Sequence, residues 1–225
     1  MIIVIIRHGE TPQNLLGVFQ GQSDPELDNV GIDRFKETAR TLKNEKWDAI
    51  YSSNYKRSLV SANLLTVDVN LRRFVSTDFS ERHLGALDGK SKETLISADP
   101  ELSRKLLTLE YTPSGGESGR SALERFVRGI HTIKNNHQGR VIVVSHGGIV
   151  ALFAHHMLGV RQTSCLLEHG HALIIKVSGT EISLMGMNVP PNSIAEATYY
   201  GKYLENRAAC GCKLWDFEIG YHSRN

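Results

Sequence analysis

The chain has 225 residues, 40% of them hydrophobic and 22% charged, and a formal charge of only +2 from 26 basic and 24 acidic side chains. These proportions suit one folded α/β core rather than a disordered chain, and the near-neutral balance argues against a nucleic-acid binder, which would show a basic excess or stripe. Three cysteines cannot build a dense disulfide framework. The apolar opening from Met1 to Ile6 stops at Arg7 without the marks of a signal peptide, and no run nears the roughly 20 apolar residues of a membrane span. The chain therefore reads as cytoplasmic, with no nucleic-acid or membrane partner.

Ile2 to Ile6 reads as a strand buried on both faces, because β-branched residues follow one another without alternation. Gly9 to Asp28, with Gly9, Pro12, Gly17, Gly21 and Pro25, reads as a long loop at its tip. Ile32, Phe35, Ala39 and Leu42 recur at helical spacing and predict a helix near 29–45. A short strand from Trp47 to Tyr51, a helix from Lys56 to Leu65 and a strand from Leu71 to Val75 follow. Gly85 to Ser91 is loop, and Ala98 to Leu109 should hold one or two short helices. Glu117 to Asn136 reads as a long helix with Ala122, Phe126, Ile130 and Ile133 on one stripe. Val141 to Val144 is a second central strand, with an apolar helix from Ile149 to Leu158. Ala172 to Val177 and Glu181 to Met187 read as a strand pair, which Pro190 and Pro191 end. The whole predicts a three-layer αβα sandwich around a mixed, mostly parallel sheet. It forms a single domain over 1–225, with a small helical cap inserted around 84–115 and a tail, 196–225, of uncertain role.

Two buried strands end in related tips, Arg7-His8-Gly9-Glu10 and Ser145-His146-Gly147-Gly148. Each delivers a histidine and then a glycine, which permits a sharp turn and a close backbone approach to a ligand. A lone histidine after a strand is most often structural. Two such tips in one α/β chain point to a shared pocket if the strands are neighbours, at the sheet edge where α/β folds bind ligands.

Arg7-His8-Gly9-Glu10-Thr11 with Asn14 resembles the signature of the histidine phosphatase superfamily, which includes the cofactor-dependent phosphoglycerate mutases. Ser53-Asn54-Tyr55-Lys56-Arg57 with Ser61-Ala62 is similar to that family's second motif, whose arginine binds phosphate. Glu81-Arg82-His83-Leu84-Gly85-Ala86-Leu87-Asp88-Gly89 is similar to the segment bearing its acid. Gly115-Gly116-Glu117-Ser118, Val144 to Gly148 and Asn192-Ser193 resemble its later elements, so the likeness runs in order from residue 1 to about 195.

The resemblance implies a covalent phosphohistidine on His8, a phosphate clamp of Arg7, Arg57 and a protonated His146, and Glu81 as proton donor and then base. A planar arginine fork suits two phosphate oxygens, and positioned donors lower the barrier to phosphoryl transfer. Asn14, Thr11, Gln20, Gly21, Gln22, Ser23, Arg82 and the backbone of Gly147 are expected to touch substrate. No cofactor and no catalytic metal is expected. Ten histidines invite a metal reading, but His155, His156, His169 and His171 lack a convincing ligand set, and Cys210 and Cys212 read as plain thiols. The Walker pattern is absent.

The expected function is hydrolysis of a small phosphorylated metabolite such as a sugar phosphate or phosphoglycerate. Two alternatives stand beside it: a phosphoglycerate mutase, and a non-catalytic anion-binding or scaffold protein. The residues after Glu81 are similar to the mutase branch, but only 65 positions separate Glu81 from His146, where mutases carry a longer segment with paired arginines. Tyr111, Leu106 and Leu109 could form an apolar wall or belong to the core. The aromatic tail could close the site or join a homodimer.

Overall fold

A computed structural model describes residues 1–67, 71–199 and the backbone of 200 and 212–213. A seven-stranded sheet forms its centre, in the order β3-β2-β4-β1-β5-β6-β7, with β1 Ile2–Arg7, β2 Ala49–Ser52, β3 Arg73–Val75, β4 Arg140–Ser145, β5 Ala172–Ser178, β6 Glu181–Val189 and β7 Cys212–Lys213. Strands β1 to β4 run parallel, and β5 pairs antiparallel with β1. β6 and β7 continue antiparallel.

Strand β1 shows why both faces must be covered. Ile3 and Ile5 point into one core with Val141, Val143, Leu173 and Ile175, while Val4 and Ile6 point into the other with Ile142, Val144 and Ile174. The period-2 alternation of strand side chains thus feeds two cores from one unbroken apolar run. Helices α6 (Gly119–Asn136) and α7 (Gly147–Leu158) cover the first core through Phe126, Ile130 and Phe153. Helices α2 (Asn29–Leu42), α3 (Lys56–Leu65) and α8 (Ile194–Tyr200) cover the second through Phe35, Leu65, Ile194 and Ala197. This is the predicted three-layer sandwich on a mixed sheet.

Differences from the sequence reading are local. The 9–28 loop contains a short helix, α1 (Pro12–Leu15), because Thr11 and Asn14 form a capping box and Pro12 supplies the first turn. The helix near 29–45 ends at Leu42. In the 84–115 segment α5 spans Leu102–Leu106, but α4 spans Lys92–Ala98, ahead of the expected start at Ala98. Helix α4 buries no residue, so no apolar stripe announces it. Leu109 packs against the first core. Of the 196–225 tail, the first residues continue helix α8, and Ala197 belongs to the second core. The readings of Tyr203, Cys210, Trp215, Phe217 and Tyr221 fall outside the described residues, as does that of the side chain of Cys212. No helix among the described residues is long and apolar enough to cross a membrane.

Candidate active site

The parallel pairing of β1 with β4 places Arg7 opposite Ser145, so the two histidine tips lie side by side. The His8 N–H donates to the Ser145 carbonyl at 3.0 Å, and the His8 and His146 rings are 5.0 Å apart. The adjacency expected from the tips therefore follows from strand register.

His8 is almost fully buried. Its Nδ1 donates to the Gly9 carbonyl at 2.7 Å. A carbonyl only accepts, so this bond fixes the proton on Nδ1. Burial, then the charges of Arg57 and Arg7, push the His8 pKa well below its ordinary value. The ring is neutral, and Nε2 keeps its lone pair.

His146 is held differently from the expectation. Arg57 Nε donates to His146 Nδ1 at 3.2 Å, which leaves Nε2–H to donate to Ser53 Oγ at 2.7 Å. Burial and the neighbouring Arg57 also push its pKa well below the usual range. His146 is therefore a neutral imidazole here, not the protonated clamp member predicted, because a guanidinium already occupies the nitrogen that would take the proton.

Arg57 is completely buried, and its remaining nitrogens donate to the Ser23 carbonyl at 2.5 Å and the Gly21 carbonyl at 3.2 Å. Those carbonyls are presented by a loop wrapped on Asp88, whose carboxylate accepts from the N–H groups of Gly21, Gln22 and Ser23, each at 2.9 Å. Burial raises the Asp88 pKa, but these hydrogen bonds and that of the Ser23 hydroxyl outweigh it and hold it below the usual range. Gly21, Gln22 and Ser23 were expected at the substrate. Their backbone instead joins Asp88 to Arg57.

Beside His8 opens a cavity of about 600 Å³ that takes in Arg7, Asn14, Gln20, Glu81, Arg82 and Gly147 from the predicted set. Thr11, Gly21, Gln22, Ser23, Arg57 and His146 do not line it. Thr11 is buried and donates from its N–H and hydroxyl to Asn14 Oδ1 at 3.1 and 2.8 Å, which orients the asparagine. Arg7 donates through Nη1 to the Leu167 carbonyl at 2.6 Å. Its Nε is closed off from solvent and has no partner, a buried donor left unsatisfied beside the cavity.

Glu81 sits at the start of α7. Gly148 N–H donates to Oε2 at 2.9 Å and Ile149 N–H to Oε1 at 2.8 Å, so the carboxylate satisfies the helix's first free donors. The two glycines after His146 permit this packing. A Cβ on Gly147 would lie 3.1 Å from the Arg7 guanidinium, and one on Gly148 would lie 2.9 Å from Glu81 Oε1. Arg82 lines the cavity but is mainly a strut. Its guanidinium donates to the carbonyls of Glu117 at 3.2 Å, Leu106 at 2.7 Å, and Tyr111.

Three functional neighbours were missed in the sequence. Lys92, on α4, lines the cavity; burial and the charge of Arg7 lower its pKa, against a raising effect of Glu81. A lysine in the first turn of a helix opposes the dipole, and that was its available signal. The His169 ring lies 5.7 Å from His8; burial and the charges of Arg7, Arg34 and Lys92 push its pKa down to about 3. Arg125 donates to the Ser80 carbonyl at 2.7 Å and the Glu81 carbonyl at 3.1 Å, fixing the backbone that carries Glu81.

Comparison with known proteins bears on this arrangement. The sequence model of the histidine phosphatase superfamily (branch 1) matches residues 3–188. A metal-independent phosphoserine phosphatase of Arabidopsis thaliana is 34% identical over 66% of this chain and 65% of its own length, so the likeness spans just under two thirds of that relative. A 2,3-bisphosphoglycerate-dependent phosphoglycerate mutase of Methylorubrum extorquens (strain PA1) is 29% identical over 65% of this chain and 74% of its own. The fold is that of a mycobacterial glucosyl-3-phosphoglycerate phosphatase, with a TM-score of 0.76 at 23% identity, covering 84% of this chain and 98% of that one.

Proposed function

Because the chain belongs to the histidine phosphatase superfamily (branch 1), we propose that it hydrolyses the phosphate monoester of a small metabolite through a phosphohistidine on His8. One observation carries the reading. A buried, neutral His8, with its free lone pair on Nε2, shares a cavity with the side chain of Arg7 and the carboxyl of Glu81.

In the proposed reaction the phosphoryl oxygens are met by Arg7, Asn14 and the backbone N–H of Gly147, which is not among the amides that Glu81 takes. His8 Nε2 gives its lone pair to phosphorus as the ester P–O bond breaks, and the departing oxygen takes a proton from the Glu81 carboxylic acid. Water then attacks phosphorus and gives a proton to Glu81. The P–N bond breaks, and His8 is returned with free phosphate. Arg57 and His146 act beside the nucleophile rather than on the cavity wall, Arg57 by holding His8 neutral. The scheme uses no metal and no cofactor, and its setting is the cytoplasm.

The named relatives include phosphatases and mutases, so the test must separate the two. Purified protein given a phosphate monoester should release free phosphate and form an acid-labile, base-stable label on His8, and His8→Ala should do neither. Label without free phosphate, in the presence of a bisphosphorylated primer, would make it a mutase. Absence of any label would return the chain to the anion-binding reading.

A further inference from the structure

The phosphate end fills only part of the cavity. Beyond Arg7, His8 and Asn14 the same space of about 600 Å³ continues between the loop after α1, helices α4 and α5, and the segment after α7. A cavity of this size accommodates a ligand much larger than serine phosphate or glycerate phosphate.

The walls of that outer part are mainly aliphatic and aromatic. We propose that they select phosphate monoesters whose alcohol part is apolar, through Val18, Phe19, Ile96, Leu106, Leu107 and Leu166. The inference rests on the hydrolase reading above and narrows its substrate class.

The polar groups along the wall are largely committed elsewhere. Arg104 Nε donates to Glu101 at 2.5 Å, the Arg82 guanidinium is held by three carbonyls, and Gln20 Nε2 donates to Thr11 Oγ1 at 2.9 Å. Lys92 lies close enough to Arg7 for the two charges to act on each other, so its ammonium serves the phosphate end. Its charge also lies 5.7 Å from the centre of the Phe19 ring. Ser103, Gln162, Thr163 and the Nη groups of Arg104 remain to replace water around the hydroxyls of a sugar, few for a wall of this extent, and a buried hydroxyl without a partner is costly.

Two of the wall residues lie outside both cores. Leu166 is 65% exposed, and Ile96 lies on a helix that buries no residue. Neither belongs to the two cores or packs against them. Apolar side chains kept at a cavity outside the cores fit a ligand that covers them.

The test is the kcat/KM of the wild-type protein for ethyl, butyl and hexyl phosphate, read as free phosphate. All three lose a primary alkoxide, so leaving-group chemistry stays constant and chain length alone varies. Each methylene buried in the transition state should raise kcat/KM about fourfold, so butyl phosphate should exceed ethyl phosphate by roughly 16-fold and hexyl phosphate should exceed both. Glycerol phosphate, phosphoserine and glucose 6-phosphate should fall below butyl phosphate. Replacing Ile96→Ser and Leu166→Ser together should cut the hexyl-to-ethyl ratio by about tenfold or more.

A flat or falling alkyl series, polar esters that outrun hexyl phosphate, or an unchanged ratio in the double variant would overturn the inference. If those outcomes come with phosphohistidine on His8, the hydrolase reading stands and only the substrate class falls. If no ester is cleaved and no label forms, the reading itself falls.

Discussion

Lowering the pH from 7 to 5 should weaken the fold through histidines held neutral at the site. His169 has a folded pKa of about 3 against about 6.5 in an unfolded chain. Below pH 6.5 the unfolded chain binds a proton there and the folded chain does not, so stability falls with pH through that point and levels off only below about 3. Between pH 7 and pH 5 this group alone removes at most about 2 kcal/mol. His8 and His146 shift in the same direction through burial and the same arginines, so their losses add to it. Asp88 is also shifted down, but its contribution is lost only near and below the ordinary carboxylate pKa, outside this range. Urea unfolding at the two pH values, in wild type and His169→Gln, measures the effect. The variant should lose less stability than wild type on acidification, by up to about 2 kcal/mol. A wild-type protein as stable at pH 5 as at pH 7, or a variant indistinguishable from it, would mean that these imidazoles are not held neutral.

Two further outcomes concern the acid. Glu81→Gln should lower turnover of alkyl phosphates by about 10²–10⁴, while 4-nitrophenyl phosphate, whose leaving group needs no proton, should still phosphorylate His8 and give a burst before the hydrolytic step stalls. Equal losses for both substrates, with no burst, would remove Glu81 from proton transfer. Gly148→Ala places a Cβ 2.9 Å from Glu81 Oε1 and should drive the carboxylate off the Gly148 and Ile149 amides. The expected cost is about 1–3 kcal/mol in urea unfolding, with the same dependence on leaving group as Glu81→Gln. Unchanged stability would show that the carboxylate does not depend on those amides.

The sheet was readable because β1 and β4 are unbroken apolar runs, and the adjacency of their tips required only that they be neighbours. His8, Arg7, Asn14 and Glu81 were likewise legible, since each stands in a motif with a defined position at a strand or loop end. Roles that depend on a partner's direction were not. Arg57 was read as a phosphate ligand, yet its nitrogens are directed to the Gly21 and Ser23 carbonyls and to His146, and nothing in the linear sequence reveals that Asp88 gathers that loop beneath it. Lys92 and Ile96 escaped notice because α4 has no face in the core, and periodic burial is the signal that sequence reading detects. His169 was weighed only as a metal ligand. Its distance from His8 is set by β5 lying beside β1, which only the topology shows.

The site's geometry also lets a cation and a carboxylate share one cavity without cancelling each other. Arg7 and Glu81 are close enough to influence one another's charge, and free side chains so placed would tend to close on each other. Here each is tied to backbone first. Glu81 accepts from Gly148, Ile149 and its own neighbour Arg82, while Arg7 is held by the Leu167 carbonyl with its guanidinium against Gly147. The start of α7, which would otherwise attract any anion, is thus occupied by the protein's own carboxylate, and Arg7 Nε is left unpaired. A phosphoryl group can then gain Arg7 without first breaking an ion pair, and it arrives beside a carboxyl already held in place. Residues from β1, from the 77–81 segment and from the first turn of α7 must all be set for this to work. That is why the glycines after His146 matter as much to the arrangement as the charged groups they admit.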